Sequence, residues 1–581
     1  MKRPLYGLLF LLEAALVLAS VDFDVCLQQV RDGNWGLIGA TDNNGRQVTN
    51  LSEATAITYD LCVVACGSGP VPFDWNIFSQ QFSAWLLPYL ALVSQLPFGA
   101  KSRLDNLVSM LLTLGSPTLA AYSLALTVLN GHYIAERFSH INYPNVRSAV
   151  QVLSSLQQSS FQVSTDDSLL ASLIVLPEND EWWSELVIWL DYVHTWSISA
   201  VASILWVVIA YAFTVVDSFT APVTYSTLNT NGSAVGSVFL WLLPVVVGWL
   251  QISPKCDHDR VRQAIERANK IAYVATPDGE PTLASAVSTR RAISLRRGAG
   301  NIQYDAQCTA PIYNYARFLP LSLAVETVYH AFREASERSD DHKPVDSRAS
   351  WEKSDRNFRV RPENRRGLLS QVGAYVESKP SEFYPQRRRR WGPGVISRFL
   401  VAAFIAVTLT WGTIGAAILV AFFTPTRGSF LGLACRSGSY LLYGVCSTLV
   451  WVMMATSSAL AHYSAFAPSV KGRYLHTRST RTAGILSIAL RRLGKLLAAL
   501  NATWIILVCL FQFSSFFNRC WCNSSVFYLG KHAYNVIQVA PSDVALLNAP
   551  WIGGVVLACG CAIFCLGFVT VLINPVLPCP D

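Results

Sequence analysis

Seven stretches of this sequence stay predominantly apolar for about 20 residues, the length at which a helix crosses the hydrocarbon core of a bilayer. They are residues 107–129, 193–216, 235–252, 396–423, 438–465, 496–517 and 551–574. An eighth run, 85–98, is shorter and is interrupted by Pro88 and Pro97. The sequence therefore predicts an all-α polytopic integral membrane helix bundle with seven or eight membrane segments.

The composition agrees with lipid as the solvent for much of the chain. Only 14% of the 581 residues are charged and 52% are hydrophobic, whereas soluble chains carry roughly 25% charged residues. So few charges could not cover a water-facing surface of this size. The composition excludes an ordinary cytosolic enzyme, a disordered regulator and a nucleic-acid-binding protein of the usual basic kind.

The first 20 residues are typical of a secretory signal peptide. Lys2 and Arg3 precede an apolar run over residues 5–18, and small residues follow that run. Glu13 interrupts the run, which leaves an uncleaved anchor as the alternative. In either case the following segment begins on the lumenal or extracellular side.

Residues 21–80 are predicted to form a small ectodomain that carries a disulfide. Cys26, Cys62 and Cys66 lie in this segment, in an oxidising compartment. Three cysteines predict one disulfide and one cysteine left over, and the spacing does not say which two pair. Asn50 begins a glycosylation sequon, which agrees with a lumenal location.

Basic residues predict the orientation, because loops rich in Lys and Arg remain in the cytosol. Segment 466–495 has seven basic residues and no acidic one, which indicates a cytosolic segment. The next segment, 518–550, has only two basic residues. It carries Cys520 and Cys522 as further disulfide candidates and a sequon at Asn523, so it is predicted to be lumenal.

An odd number of spans must separate the lumenal ectodomain from a cytosolic segment 253–395, and four candidates lie between them. Either one candidate does not cross, or the basic residues misreport the orientation. The preferred arrangement makes 85–98 interfacial or re-entrant, which puts 131–192 in the cytosol. The competing arrangement makes 235–252 re-entrant. Either arrangement gives seven spans with a cytosolic C-terminus.

This topology divides the chain into six parts. They are the signal peptide 1–20, the ectodomain 21–80, an N-terminal membrane region 81–252, a basic cytosolic segment 253–395, a C-terminal membrane region 396–574 and a cytosolic tail 575–581. A third sequon, at Asn231, lies so close to a span that its modification is not decisive.

The net charge of +8 comes from segment 253–395, which has 25 basic and 17 acidic residues. Four consecutive arginines abut the next span and are predicted to bind the anionic headgroups of the cytosolic leaflet. They are Arg387, Arg388, Arg389 and Arg390. Residues 336–366 mix charges of both signs densely, which predicts a solvated or disordered stretch within the segment.

The sequence contains no recognisable catalytic constellation. It lacks HExxH, GxSxG, a Walker loop, CxxC pairs and clustered His and Asp. The ligand-type residues at 256–259 are adjacent and cannot all converge on one ion, so we expect no metal site, and we expect no cofactor. The span centres carry almost no ionisable residues, which weakens an ion-coupled transporter but leaves a channel or a carrier that uses backbone groups.

Two stretches, Ala264–Ala275 and Gln303–Cys308, resemble segments of uncharacterised multi-pass membrane proteins of filamentous ascomycete fungi. The resemblance covers most of the chain and implies the same plan of a signal peptide, a short cysteine-containing ectodomain and a long basic cytosolic segment. It implies no activity.

The sequence favours a non-enzymatic scaffold or interaction protein whose cytosolic segment binds lipid or protein partners. The alternative is a transporter or channel for a small solute. The predicted location is the plasma membrane or a membrane of the secretory pathway. The predicted partners are anionic membrane lipid and proteins of unknown identity, and no nucleic acid is expected.

Overall fold

The structure is a computed structural model, and it describes most of the chain. The described residues are 21–98, 103–192, 196–220, 233–295, 312–353, 359–377, 391–423, 433–465, 469–470, 473–474, 478–539 and 541–574. It is 71% helix and 4% strand, which confirms the predicted helical architecture.

The secondary-structure elements are numbered in chain order. The helices are α1 Phe23–Arg31, α2 Tyr59–Ala65, α3 Trp75–Gln81, α4 Leu87–Ser94, α5 Arg103–Gly115, α6 Pro117–Phe138, α7 Val146–Ser155, α8 Leu169–Val175, α9 Asp180–Leu190, α10 Ile198–Thr220, α11 Ser233–Phe239, α12 Leu242–Ile252, α13 His258–Ala268, α14 Ala284–Val287, α15 Phe318–Asp340, α16 Leu369–Val376, α17 Val395–Phe422, α18 Cys435–Ala465, α19 Arg478–Phe513, α20 Cys520–Asn523, α21 Val526–Leu529 and α22 Pro541–Leu572. The strands are β1 Ala40–Thr41, β2 Ala56–Thr58, β3 Phe161–Val163, β4 Tyr273–Val274, β5 Thr282–Leu283, β6 Ile293–Leu295, β7 Ser469–Val470, β8 Arg473–Tyr474 and β9 Tyr534–Val536.

Among the described residues, six helical stretches are long and apolar enough to cross a membrane. They are Ile198–Val216, Ala234–Ile252, Val395–Phe422, Cys435–Ala465, Arg478–Phe513 and Ala549–Leu572. Each overlaps a stretch predicted from the sequence. Together with α4, α5 and α6 they form the bundle, whose core includes Trp241, Trp249 and Tyr443.

The predicted span 107–129 is not one continuous helix. It is split into α5 and α6, which meet at an angle of 102°. Ser116 caps α6 by accepting a hydrogen bond from the Leu119 N–H at 3.3 Å, and Pro117 occupies the first turn. Proline has no N–H to continue α5 but fits the first turn of a new helix, so the chain breaks here. The bent pair is either one broken span or a re-entrant segment.

α19 also differs from the prediction. The sequence predicted a cytosolic segment 466–495 followed by a span over 496–517, but one helix runs from Arg478 to Phe513. At 36 residues it is about 54 Å long, well beyond the roughly 30 Å of a hydrocarbon core. The first part of this helix therefore carries the basic residues beyond the apolar stretch.

Close packing of small residues joins α17 to α22. A Cβ added at Gly412 would lie 2.3 Å from the Cys561 sulfur, and one added at Gly554 would lie 3.3 Å from the Ala416 carbonyl oxygen. Small residues let helix backbones approach this closely. The free cysteine Cys561 is thereby part of the helix contact.

One end of the bundle carries a lobe held by disulfides, which we call the cysteine lobe (residues 21–72 and 514–539). Its three-stranded antiparallel sheet has the order β1-β2-β9, so a strand from the second segment pairs with one from the first. Cys26 is paired with Cys66.

The opposite end carries a larger unit, which we call the joined domain (the described residues of 131–192 and 258–377). One hydrophobic core contains residues of both segments, including Trp182, Trp183, Val261, Val328 and Phe332. Strand β3 of the first segment pairs antiparallel with β6 of the second. The sequence prediction separated an N-terminal membrane region, 81–252, from a cytosolic segment, 253–395. In the structure, parts of both share one hydrophobic core.

The prediction that 336–366 is solvated or disordered holds for one part of the described stretch and not for another, because residues 341–343 and 347–350 are exposed while residues near its end are buried. Asn364 and Arg365 are only 2% exposed. Asn364 accepts a hydrogen bond from the Glu352 N–H and donates one to the Glu352 carbonyl oxygen. The end of this stretch is therefore packed into the domain, which composition alone does not reveal.

Candidate functional site

A buried arginine fixes the joined domain to the bundle. Arg398, in the first turn of α17, is 6% exposed. Its guanidinium donates to Asn130 Oδ1 at 2.7 Å and to Ser322 Oγ at 3.2 Å. It also stacks on the Tyr133 ring, 3.8 Å from the ring centroid. One side chain therefore holds α6, α15 and α17 together.

An ion pair next to Arg398 strengthens the same junction. Arg137 donates to both oxygens of Glu326, at 3.1 and 3.0 Å, and the Tyr133 hydroxyl donates to Glu326 as well. Glu326 is only 9% exposed, so the pair is largely shielded from water. Bidentate pairs of this kind fix orientation as well as adding energy.

A cavity of about 360 Å³ lies beside this junction. Its walls come from α6, α7, α9, the end of α12 and the end of α22. Val128, Leu190, Ile252 and Leu572 supply apolar surface. The volume is within the range of small-molecule sites, ~300–1,000 Å³.

The polar wall of the cavity contains two buried amides with unused hydrogen-bonding atoms. Gln157 and Gln158 are 6% and 3% exposed. Gln157 Oε1 and Gln158 Nε2 make no hydrogen bond within the described part of the chain. Because leaving a buried polar group unpaired costs about 1–3 kcal/mol, such atoms require an explanation.

Charges of both signs also line the cavity. Lys255 is half-buried, donates to the Tyr192 carbonyl oxygen and lies 5.0 Å from the Tyr192 ring centroid. Burial lowers the pKa of Lys255, and the nearby Asp191 carboxylate opposes this effect. Burial also raises the pKa of Tyr192 to about 12. His132 and Asp191 complete the ionisable lining.

The break between α5 and α6 forms a second polar cluster, inside the bundle. The Leu114 carbonyl oxygen accepts from the Tyr443 hydroxyl at 2.7 Å, and the Gly115 carbonyl oxygen accepts from Asn501 Nδ2 at 2.8 Å. Ser116 Oγ donates to the Ser447 carbonyl oxygen at 2.8 Å. Backbone groups freed by the break are therefore bonded within the chain.

The predicted disulfide candidates all lie in disulfides. Cys26 pairs with Cys66, and the remaining cysteine of the first segment, Cys62, is paired with Cys520 of the second segment. Cys522 is paired with Cys435, which sequence reasoning missed. The predicted topology carries the signal for it, because Cys435 precedes the run 438–465 on the same lumenal side as Cys520 and Cys522.

The three predicted glycosylation sites, among four sequons in the sequence, differ in their surroundings. Asn50 is exposed and caps a short helical turn by accepting from the Ser52 N–H. Asn523 is 1% exposed, so the folded chain offers no room for a glycan there, contrary to the expectation from its sequon. Asn231 lies outside the described residues.

Several other predicted features also lie outside the described residues. They are the signal peptide 1–20, the stretch Gln303–Cys308, the arginines Arg387, Arg388, Arg389 and Arg390, and the tail 575–581. Trp391, directly after the arginines, is 48% exposed and precedes α17. The arginine run is therefore adjacent in sequence to the helix that holds the junction.

The sequence did not reveal the junction or the cavity, since their residues are distant from one another in the chain and no local pattern marks Gln157, Gln158 or Arg398. Comparisons with protein-family models, with curated proteins and with solved structures find no match to this chain.

Proposed function

We propose that this protein is a non-enzymatic multi-pass membrane protein of the plasma membrane or secretory pathway, with a scaffold or interaction role. The joined domain is the part that meets cytosolic partners. The observation that carries the proposal is the junction around Arg398, which fixes this domain to the bundle. A domain attached this firmly suits presentation of a surface at a constant height above the membrane.

The shared core of the joined domain supports one of the two topologies. A bilayer cannot pass between two segments that pack into one hydrophobic core, so 131–192 and 258–377 belong on the same side. This agrees with the arrangement in which 85–98 does not cross. It conflicts with the arrangement in which 235–252 is re-entrant, because that one separates the two segments.

The arginine run 387–390 supplies the lipid-binding part of the proposal. Basic residues near an anionic surface contribute about 1 kcal/mol each. We expect replacement of all four arginines with glutamine to reduce the enrichment of phosphatidylserine around the full-length protein severalfold. The enrichment is measured by lipid analysis of protein captured from vesicles of mixed phosphatidylserine and phosphatidylcholine.

The matched control neutralises four basic residues that each have an acidic partner. They are Arg260, Arg262, Arg290 and Lys343, paired with Asp257, Asp259, Asp166 and Asp341. This control variant is expected to show the same phosphatidylserine enrichment as the wild type. An equal loss in both variants would mean that total charge, and not the arginine run, attracts the lipid.

Transport of a small solute is the second candidate, and the broken helix at Gly115 favours it. Transporters often bind solutes at such breaks. Here, however, Tyr443 and Asn501 already occupy the freed carbonyl oxygens. Tracer efflux from vesicles that hold the full chain, if it were faster than from protein-free vesicles and lost in Asn501→Ala, would favour transport over the scaffold.

A further inference from the structure

We infer that the cavity at the junction binds the zwitterionic headgroup of a phospholipid from the adjoining leaflet. The inference rests on the proposed membrane location of the bundle, but not on the scaffold role. The arginine run attracts anionic lipid in general, whereas this cavity would hold a single molecule by complementary chemistry.

The position of the cavity indicates a ligand that is partly in the bilayer. Ile252 ends the stretch Ala234–Ile252 and Leu572 ends Ala549–Leu572, and both stretches are long and apolar enough to cross a membrane. The opposite wall, formed by Gln157, Gln158 and Asp191, belongs to the joined domain. The cavity therefore lies at the level where hydrocarbon gives way to polar headgroups.

The polar groups of the cavity match a phosphate and an ammonium on one molecule. The Tyr192 carbonyl oxygen takes one of the three N–H donors of Lys255. The other two N–H donors of Lys255 suit a phosphate oxygen. The Asp191 carboxylate suits an ammonium group. Because the charges of Lys255 and Asp191 offset each other, a purely anionic headgroup matches the site less well.

The two unpaired amides complete the match. Gln157 Oε1 accepts from a hydroxyl or ammonium hydrogen, and Gln158 Nε2 donates to a phosphate or ester oxygen. Both atoms are closed to solvent in the structure, so each amide would turn about its terminal torsion to meet a bound headgroup. The headgroup would then satisfy two buried polar groups that the described part of the chain leaves unpaired. Val128, Leu190 and Leu572 would contact the glycerol and the first carbons of the acyl chains.

The test uses the full-length protein in nanodiscs of phosphatidylglycerol, titrated with phosphatidylethanolamine. Native mass spectrometry is expected to detect one tightly retained phosphatidylethanolamine per chain. Lys255→Met is expected to weaken its retention about tenfold, the effect of losing one charge-assisted hydrogen bond. Gln157→Leu together with Gln158→Leu should have a similar effect. Gln162→Leu, an exposed glutamine on β3 away from the cavity, is the matched control and should retain the lipid.

Three results would overturn the inference. The first is no stoichiometric lipid on the wild type. The second is equal retention by the cavity variants when their melting temperatures match the wild type. The third is binding of water-soluble glycerophosphoethanolamine as tightly as the lipid, which would assign the cavity to a soluble phosphodiester. A cavity variant that loses this lipid but keeps its phosphatidylserine enrichment would separate the inference from the arginine run.

Discussion

Gly115→Ala is expected to prevent the bundle from closing around the helix break. An added Cβ would lie 1.9 Å from the Ala498 carbonyl oxygen and 2.6 Å from its carbonyl carbon. Both atoms are backbone, so no side-chain rotation relieves the clash, and α5 must move away from α19. Such a shift would also break the bond from Asn501 to the Gly115 carbonyl oxygen.

We expect Gly115→Ala to destabilise the protein by about 3 kcal/mol or more, at the upper end for overpacking. The measurement is the melting temperature and the monodisperse fraction in detergent. Gly415→Ala is the matched control, because it lies in α17 and its Cβ would meet nothing within 4 Å. Normal melting of Gly115→Ala would mean that α5 and α19 do not approach as closely as described.

Arg365→Ala is expected to weaken the contact between residues 362–376 and residues 169–180 of the joined domain. The Arg365 guanidinium donates to both oxygens of Asp180, at 2.8 and 2.6 Å, and to the Val175 carbonyl oxygen at 2.9 Å. It is 2% exposed. Its removal leaves a buried carbonyl oxygen without this donor and takes the guanidinium from the Asp180 carboxylate, which keeps its hydrogen bond from Asn145.

The expected loss for Arg365→Ala is about 3 kcal/mol, which combines a charge-assisted hydrogen-bond pair with an unsatisfied buried acceptor. Hydrogen exchange of the full chain should become faster in 169–180 and 362–376. The neighbouring Arg366→Ala is the control. The Arg366 side chain is 59% exposed and pairs with Glu178 at 2.7 Å, so its loss should cost at most about 1 kcal/mol. Similar exchange in the two variants would contradict a structural role specific to Arg365.

The apolar runs predicted the helices of the bundle well, because hydrophobic length is a local property of the chain. The split of 107–129 was missed although Ser116 and Pro117 form an ordinary helix start. Mean hydropathy over a window of residues does not detect such a break, whereas the Ser116-Pro117 pair marks the start of a new helix. Apart from the continuous helix α19, the features that the sequence did not predict depend on contacts between distant residues.

The joined domain and the cavity could not be read from local patterns. Segment 336–366 looks solvated because charge density says nothing about partners, yet Arg365 is buried against Asp180. Likewise Gln157 and Gln158 have no distinguishing spacing, and only the fold brings them to Lys255. The pairing of Cys62 with Cys520 also depends on the fold.

The central claim, that segments 131–192 and 258–377 form one domain on one side of the bundle, is tested most directly by a cysteine pair across β3 and β6. Gln162 and Ser294 are partners in this antiparallel pairing, and Gln162 Nε2 donates to Ser294 Oγ at 3.2 Å. Side chains opposite one another on paired strands are close enough for a disulfide.

The experiment compares Gln162→Cys with Ser294→Cys, singly and together, in membranes that contain the full-length protein. The double variant is expected to form the 162–294 disulfide on mild oxidation, detected by mass spectrometry of the linked peptides. An impermeant maleimide should label both single variants from the same side. Labelling of the two cysteines from opposite sides, with no disulfide in the double variant, would contradict the account.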